Sequence, residues 1–201
     1  MQIKEIIDDD IKDVVNIHRM SFENFFLTSL GPKFLTVYYK CVRKDSNGLM
    51  LGCYEESVLI GFCAVCLYSK SFNTKLIRHN FFKFLCVGFK ILFTKPMSLI
   101  RLFYNFTKRD PNILDDGDYS ELLSIAVNPN KQGMGIGKKL LYRLEEELIA
   151  KSSSKLSLTT DCNNNEKAIQ FYRGLGYNVM YEFKTYPNRK MYRMIKILSP
   201  K

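Results

Sequence analysis

Histidine is scarce: two residues in 201, too few for a zinc-finger arrangement. The cysteines at 41, 53, 63, 66, 86 and 162 are scattered through apolar stretches. Cys63 and Cys66 form a CxxC, but they fall in an apolar run that reads as a strand, where residues three apart point to opposite faces. No metal is expected; reduced, mostly buried thiols of a cytoplasmic protein are. No run of 18 uncharged apolar residues occurs, which excludes an ordinary membrane-spanning helix. The opening MQIKEIIDDD is acidic and does not read as a signal peptide. Internal repeats and low-complexity linkers are lacking too, so a single domain over 1–201 is expected.

The sharpest absence is local. Between Lys70 and Arg109 there is no acidic residue, against nine basic ones at 70, 75, 78, 83, 90, 95, 101, 108 and 109. The whole chain carries 30 Lys and Arg against 20 Asp and Glu, a net charge of +10, so this span supplies nearly all of the excess. Nine aromatic residues are interleaved with the cations. Helices over about 75–93 and 97–108, split at Lys95-Pro96, are predicted. In the second, Leu99, Leu102, Phe103 and Phe106 form an apolar stripe. Such a basic helical insertion at about 70–109 either packs on the core or a second subunit, or lies on an anionic membrane with its apolar side among the headgroups. Nucleic acid is the less favoured anionic partner, because no recognised nucleic-acid motif accompanies the charge.

Elsewhere strands and helices alternate. Residues 1–7 read as a strand, and Asp8 to Asp10 are placed to cap a helix from Ile11 to about Met20, with His18 on its apolar side. Ser21 to Leu30 is aromatic and turn-like. Gly31-Pro32 opens a helix through Lys44. Leu49–Glu55 and Val58–Tyr68 form a hairpin about Glu56-Ser57. Asp110 to Asp118 is a loop. Leu122 to Val127 is a strand, and from Lys138 to about Lys151 a helix buries Leu140, Leu141, Leu144 and Leu148. A strand over Lys155–Thr160, a polar turn over Asp161–Asn165 and a helix over Glu166–Leu175 follow, with Gly176 ending the helix. Tyr177–Lys184 and Arg189–Ile197 close the chain as a hairpin. The pattern predicts an α/β (α+β) chain with a mixed sheet.

Between the strand at 122–127 and the helix after it stands Gln132-Gly133-Met134-Gly135-Ile136-Gly137. Glycines there let backbone N–H groups come close to a ligand. The helix start behind them offers unpaired donors and partial positive charge, which suits a pyrophosphate. A tight turn without a ligand would use the same residues.

Val127-x-Pro129…Gln132-x-x-Gly135-x-Gly137, followed by Asn165-x-x-Ala168-x-x-Phe171-Tyr172-x-x-x-Gly176-Tyr177, resembles the GCN5-related N-acetyltransferase (GNAT) superfamily. The resemblance covers most of the chain, and the insertion departs from the minimal pattern. It implies a mostly antiparallel mixed sheet flanked by helices, and transfer of acetyl from acetyl-CoA to a primary amine. It gives backbone pairing with the cofactor arm to Ile125, Ala126 and Val127. It gives pyrophosphate contact to Gly133, Met134, Gly135, Ile136, Gly137 and Lys138, with Gln132 beside them, and further cofactor contact to Asn165, Ala168 and Phe171. Tyr172 becomes the acid toward the leaving thiolate, or else a core aromatic. Glu121 becomes the general base, or else an ion-paired strand carboxylate. Asn165 also fits a helix cap. The stretches 25–35 and 158–172 are similar to bacterial members linked to surface-polysaccharide or amino-sugar pathways. Phe25, Phe26 and Asp161 are therefore acceptor-side candidates, Asp161 being also a capping turn residue. An acceptor that is an amino sugar or its nucleotide-linked form, a cytoplasmic and membrane-peripheral location, and direct attack in a ternary complex are expected. Peptide or polyamine acceptors, a CoA-binding regulatory protein, and a ping-pong route through Cys162 are the alternatives.

Overall fold

Two long apolar runs, Leu49–Tyr54 and Leu59–Cys66, are too continuous for strands with one wet face, and burial on both faces is the arrangement that suits them. The computed structural model describes residues 1–23, 25–94, 115–186 and 188–199. Its strands are β1 (Gln2–Glu5), β2 (Gly48–Glu55), β3 (Val58–Cys66), β4 (Ser120–Val127), β5 (Lys155–Asp161), β6 (Asn178–Thr185) and β7 (Arg189–Ile197). Its helices are α1 (Ile11–Ser21), α2 (Phe26–Ser29), α3 (Pro32–Lys44), α4 (Phe72–His79), α5 (Phe81–Thr94), α6 (Ile136–Ala150) and α7 (Glu166–Gly174). One sheet runs β1-β2-β3-β4-β5-β7-β6, antiparallel throughout except for the β4–β5 pair.

Each sheet face carries its own core. On the front, α1, α3, α4 and α5 bury Val14, Leu35, Tyr39, Leu76 and Phe84 against Phe62, Ala64 and Ala126. On the back, α6 buries Leu140, Leu141, Leu144 and Leu148 against Cys63, Val65, Leu156 and Leu158. Cys66 lies in the front core and Cys63 in the back one, as strand alternation requires. At β4 the ladder with β3 skips Leu123, since Ala64 faces Ser124 while Val65 faces Leu122. This bulge puts Leu123 and Ala126 toward the front and Leu122, Ile125 and Val127 toward the back.

Three local expectations are corrected. The span 75–93 is two helices, broken at Asn80, whose amide donates to the Leu76 carbonyl while its oxygen accepts from Lys83 Nζ. An asparagine that satisfies the backbone in this way competes with helix continuation. Ser21–Leu30 contains the short helix α2. Asp10 occupies the N-cap of α1 but makes no capping bond; its carboxylate instead accepts from the Ile7 amide and the Tyr54 hydroxyl. The helix expected over 97–108 lies outside the described residues.

His18 is packed in the front core, 3 % exposed. Its Nδ1 lies 2.7 Å from the Tyr39 hydroxyl, which donates its one proton to Ser124 Oγ. Nδ1 therefore carries the imidazole proton, and a second proton would have to sit on Nε2, which is buried without a partner among the described residues. Burial accordingly lowers the His18 pKa to about 4. The folded value lies below the unfolded one, so the stabilisation is complete above pH 6.5 and is lost as pH falls toward 4. The loss amounts to about 3 kcal/mol. Urea midpoints for the wild type should drop steeply across that window and those for His18→Phe should not. Parallel pH curves would refute this assignment.

Candidate active site

The parallel pairing of β4 with β5 covers only three rungs, Ser120↔Leu156, Glu121↔Ser157 and Leu122↔Leu158. β4 runs on to Val127 and β5 to Asp161, so the sheet opens into a slot beyond the third rung. Ser124 to Val127 remain paired with β3 on their other side. Ser21 Oγ donates to the Val127 carbonyl, tying α1 to the slot's rim. A slot of this kind exposes strand edge able to pair with an extended amide chain. Ile125, Ala126 and Val127 stand along it, and a bulge next to such a site is a common device for re-aiming the backbone.

The glycine-rich turn follows. A 3-10 turn over Pro129–Lys131 is held by the Asn128 side chain, which accepts from the Asn130 amide. Gly133 (φ +81°) and Gly135 (φ +74°) take the left-handed conformation that other residues adopt at a cost. Gly135 is the N-cap of α6, with no side-chain cap. The first amides of this 15-residue helix are thus left without a side-chain cap, an arrangement that can cradle an anion. Nothing lies within 4 Å of where a Cβ on Gly133 or Gly135 would stand. Gln132, Met134 and Lys138 are exposed around the cradle, while the Ile136 side chain is buried in the back core, so only its backbone is available.

The two sequence signatures meet in space. A Cβ on Gly137 would come 3.6 Å from the Phe171 ring. Helix α7 ends in a Schellman motif: the Tyr177 amide donates to the Tyr172 carbonyl and the Gly176 amide to that of Arg173. Gly176 has φ +90°, the conformation this ending demands. The rings of Tyr172 and Tyr177 pack edge to face at 5.8 Å, with Phe171 at 5.3 Å on the other side of Tyr172. Burial raises the Tyr172 pKa to about 12, which keeps the phenol protonated at neutral pH. Ala168 is half-buried on the same helix. Asn165 stands at the N-cap of α7 but makes no capping bond. Its amide turns back to Thr160 Oγ1 and the Asp161 carbonyl, which corrects the capping expectation and fixes the end of β5 instead.

The carboxylates lie on the front face and are already partnered. Glu121 accepts from Arg193 at 2.5 Å and from Ser69 Oγ, and the pair is largely enclosed (17 % and 14 % exposed). Beside it Asp115 accepts from the Tyr119 and Tyr181 hydroxyls. Both carboxylate oxygens of Asp161 accept from Arg189, one from Nε and one from Nη2, and that guanidinium lies 4.6 Å over the Phe25 ring. Phe25 and Asp161, distant in sequence, are thereby joined at one rim of the slot; Phe26 packs against the front core instead. Arg189 and Arg193 escaped the sequence reading. They are four apart on β7 and so share a face, the one onto which Glu121 and Asp161 also alternate; that was the available signal. Among the described residues no three His, Cys, Asp or Glu side chains gather as a metal site.

Cys162 is half-buried, and burial raises its pKa, with Glu182 adding to the effect and Lys190 opposing it. A thiol held protonated is a poor nucleophile. Cys162→Ala is expected to keep turnover within about twofold, with no acetyl-enzyme seen by intact mass. A kinetically competent adduct on Cys162 would reverse that expectation.

An opened parallel strand pair, an uncapped helix start behind a glycine turn and a half-buried phenol suit an acyltransferase that uses coenzyme A. A profile of the acetyltransferase (GNAT) family matches residues 11–177, and the chain belongs to that family. Acetyl-CoA is its co-substrate. No curated protein matches the chain by sequence. Among solved structures it is similar to an N-acetyltransferase from Staphylococcus aureus Mu50 (14% identity, TM-score 0.65, 98% of both chains covered). It is also similar to the ribosomal-protein-S18-alanine N-acetyltransferase from Escherichia coli (16%, TM-score 0.63, 100% of this chain and 95% of that). A third is an aminoglycoside 6'-N-acetyltransferase complexed with coenzyme A (14%, TM-score 0.59, 100% and 99%). At these identities the likeness is one of fold.

Proposed function

We propose that this enzyme acetylates a primary amine carried by an amino sugar or a nucleotide-linked amino sugar, by direct attack in a ternary complex. The observation that carries the mechanism is the slot between β4 and β5, with the anion cradle and Tyr172 on the back of the sheet and the paired carboxylates on the front. Backbone amides of residues 133–138 hold the pyrophosphate, with Gln132 and Lys138 beside it. The strand edge at Ile125, Ala126 and Val127 aligns the amide arm, flanked by Asn165, Ala168 and Phe171. The bound co-substrate supplies a thioester activated toward amines. Tyr172 donates its proton to the departing sulfur. Glu121 receives the amine's proton through water, its oxygens being held by Arg193 and Ser69.

Two features support the sugar acceptor: the likeness of 25–35 and 158–172 to bacterial members linked to surface-polysaccharide or amino-sugar pathways, and an exposed Phe25 ring (39 %) beside Arg189. An aromatic face suits the C–H side of a sugar, and a guanidinium suits a phosphate. We place the enzyme in the cytoplasm, on the inner membrane surface. A panel of amino sugars, nucleotide-linked amino sugars, N-terminal peptides and polyamines, assayed for CoA release, tests the acceptor. Turnover confined to peptides or polyamines would refute it. Gly135→Val in the same assay should raise the KM for acetyl-CoA at least about tenfold, since it strains a left-handed residue and fills the cradle.

A further inference from the structure

Helix α5 has two apolar sides, and the described core takes one of them. Phe84 and Ile91, seven apart, are buried in the front core, Phe84 packing against Phe34 of α3 at 5.5 Å. Around the helix from them, Phe81 (53 %), Phe82 (78 %) and Leu85 (49 %) are exposed, with exposed Cys86 beside them. Positions 82, 85, 86 and 89 follow the i, i+3, i+4, i+7 rule for one helical face. Monomeric domains rarely leave such a contiguous aromatic patch wet.

The segment that carries the patch is cationic throughout. Lys70, Lys75, Arg78 and Lys83 are all exposed, and no acidic residue occurs anywhere from 70 to 94. We propose that this face of α5, with the exposed basic residues of the same segment, docks the enzyme on an anionic lipid surface. Aromatic and aliphatic side chains enter the headgroup boundary, and the cations meet lipid phosphates.

Charge decides against the other occupants. In a two-fold dimer through this face each patch would meet a copy of itself. Lys75, Arg78 and Lys83 would then face one another with no carboxylate of the segment to match them. For a nucleic acid the cations fit, but Leu85 and Cys86 interrupt the aromatic surface on which bases would stack. A lipid interface needs both features at once. Because α5 rides on the front face outside α3, while the glycine cradle belongs to the back, docking leaves the cofactor turn open. The inference is independent of which amine is acetylated.

The test uses the full chain with vesicles of phosphatidylcholine alone and of phosphatidylcholine containing phosphatidylglycerol, sedimented at low and high salt. Binding should be at least about tenfold stronger to the anionic vesicles and weaken with salt. Phe82→Ser/Leu85→Ser and, separately, Lys75→Ser/Arg78→Ser/Lys83→Ser should each reduce it about tenfold or more. These exposed positions should leave the unfolding midpoint and acetyl-CoA affinity unchanged. Absence of binding, equal binding to neutral vesicles, or undiminished binding by the folded variants would overturn the proposal. So would a dimer in sizing experiments that Phe82→Ser/Leu85→Ser dissolves, or oligonucleotide binding that the same variant abolishes.

Discussion

Tyr172→Phe is expected to lower kcat by about a hundredfold or more while leaving the KM for acetyl-CoA close to the wild-type value. The ring is held by Phe171 and Tyr177, and its backbone is fixed by the Schellman ending of α7; phenylalanine keeps all of this. What disappears is one hydroxyl. With its pKa at about 12, that hydroxyl is protonated at any ordinary assay pH and far from ionising on its own. A thiol leaving group ionises near about 8.5, so the phenol's use lies in donating a proton or hydrogen bond as the C–S bond breaks. It also follows that Tyr172 imposes no alkaline limb on the wild-type rate below about pH 11, because an acid fails only above its own pKa. Stopped-time CoA release across pH, for both proteins, checks the two statements together. An unchanged kcat in Tyr172→Phe would remove the residue from the chemistry and leave it as packing.

The second large effect concerns stability. Arg193→Met should destabilise the protein by roughly 3 kcal/mol, because it leaves the Glu121 carboxylate largely enclosed without its counter-charge. For a chain of this length that is a fall in Tm of about 10 °C. Glu121→Gln/Arg193→Met should recover much of it, since a neutral amide in that place needs no cation. The comparison also separates two roles for Glu121. If it only balances Arg193, Glu121→Gln costs stability and leaves the rate profile alone. If it is the proposed base, Glu121→Gln lowers kcat about a hundredfold. A Tm for Arg193→Met within a degree or two of wild type would show that the pair is wetter than its enclosure implies.

Much of this was legible in the sequence because local rules set it. Pro32 at the first turn of α3, the left-handed Gly176 and the leucine spacing of α6 act through backbone and neighbours only. The boundaries of β2, β3, β5 and β7 came out within a residue or two for the same reason. What was not legible is set by residues far apart. No pattern in residues 120–127 or 155–161 says that their ladder stops after three rungs: β4 stays apolar past that point, and Thr159 and Thr160 of β5 suit a paired strand. Nor does sequence tell which of many arginines meets Glu121; β7 had first to be placed beside β5. The break at Asn80 and the bonds of Asn165 were not legible because an asparagine at a helix end can satisfy the helix, the preceding strand or itself, and only the final packing chooses.

The short seam between β4 and β5 has a mechanical consequence. Strands β1 to β4 and strands β5, β7 and β6 are almost two separate sheets, joined by three rungs. Whatever lies in the slot beyond them is a missing strand borrowed from solution. A ligand that completes the ladder welds the halves, so its binding energy is also folding energy, and saturation stabilises the whole chain by RT ln(1 + [L]/Kd). An enzyme that binds and releases such a ligand would tighten and loosen along this seam in every turnover.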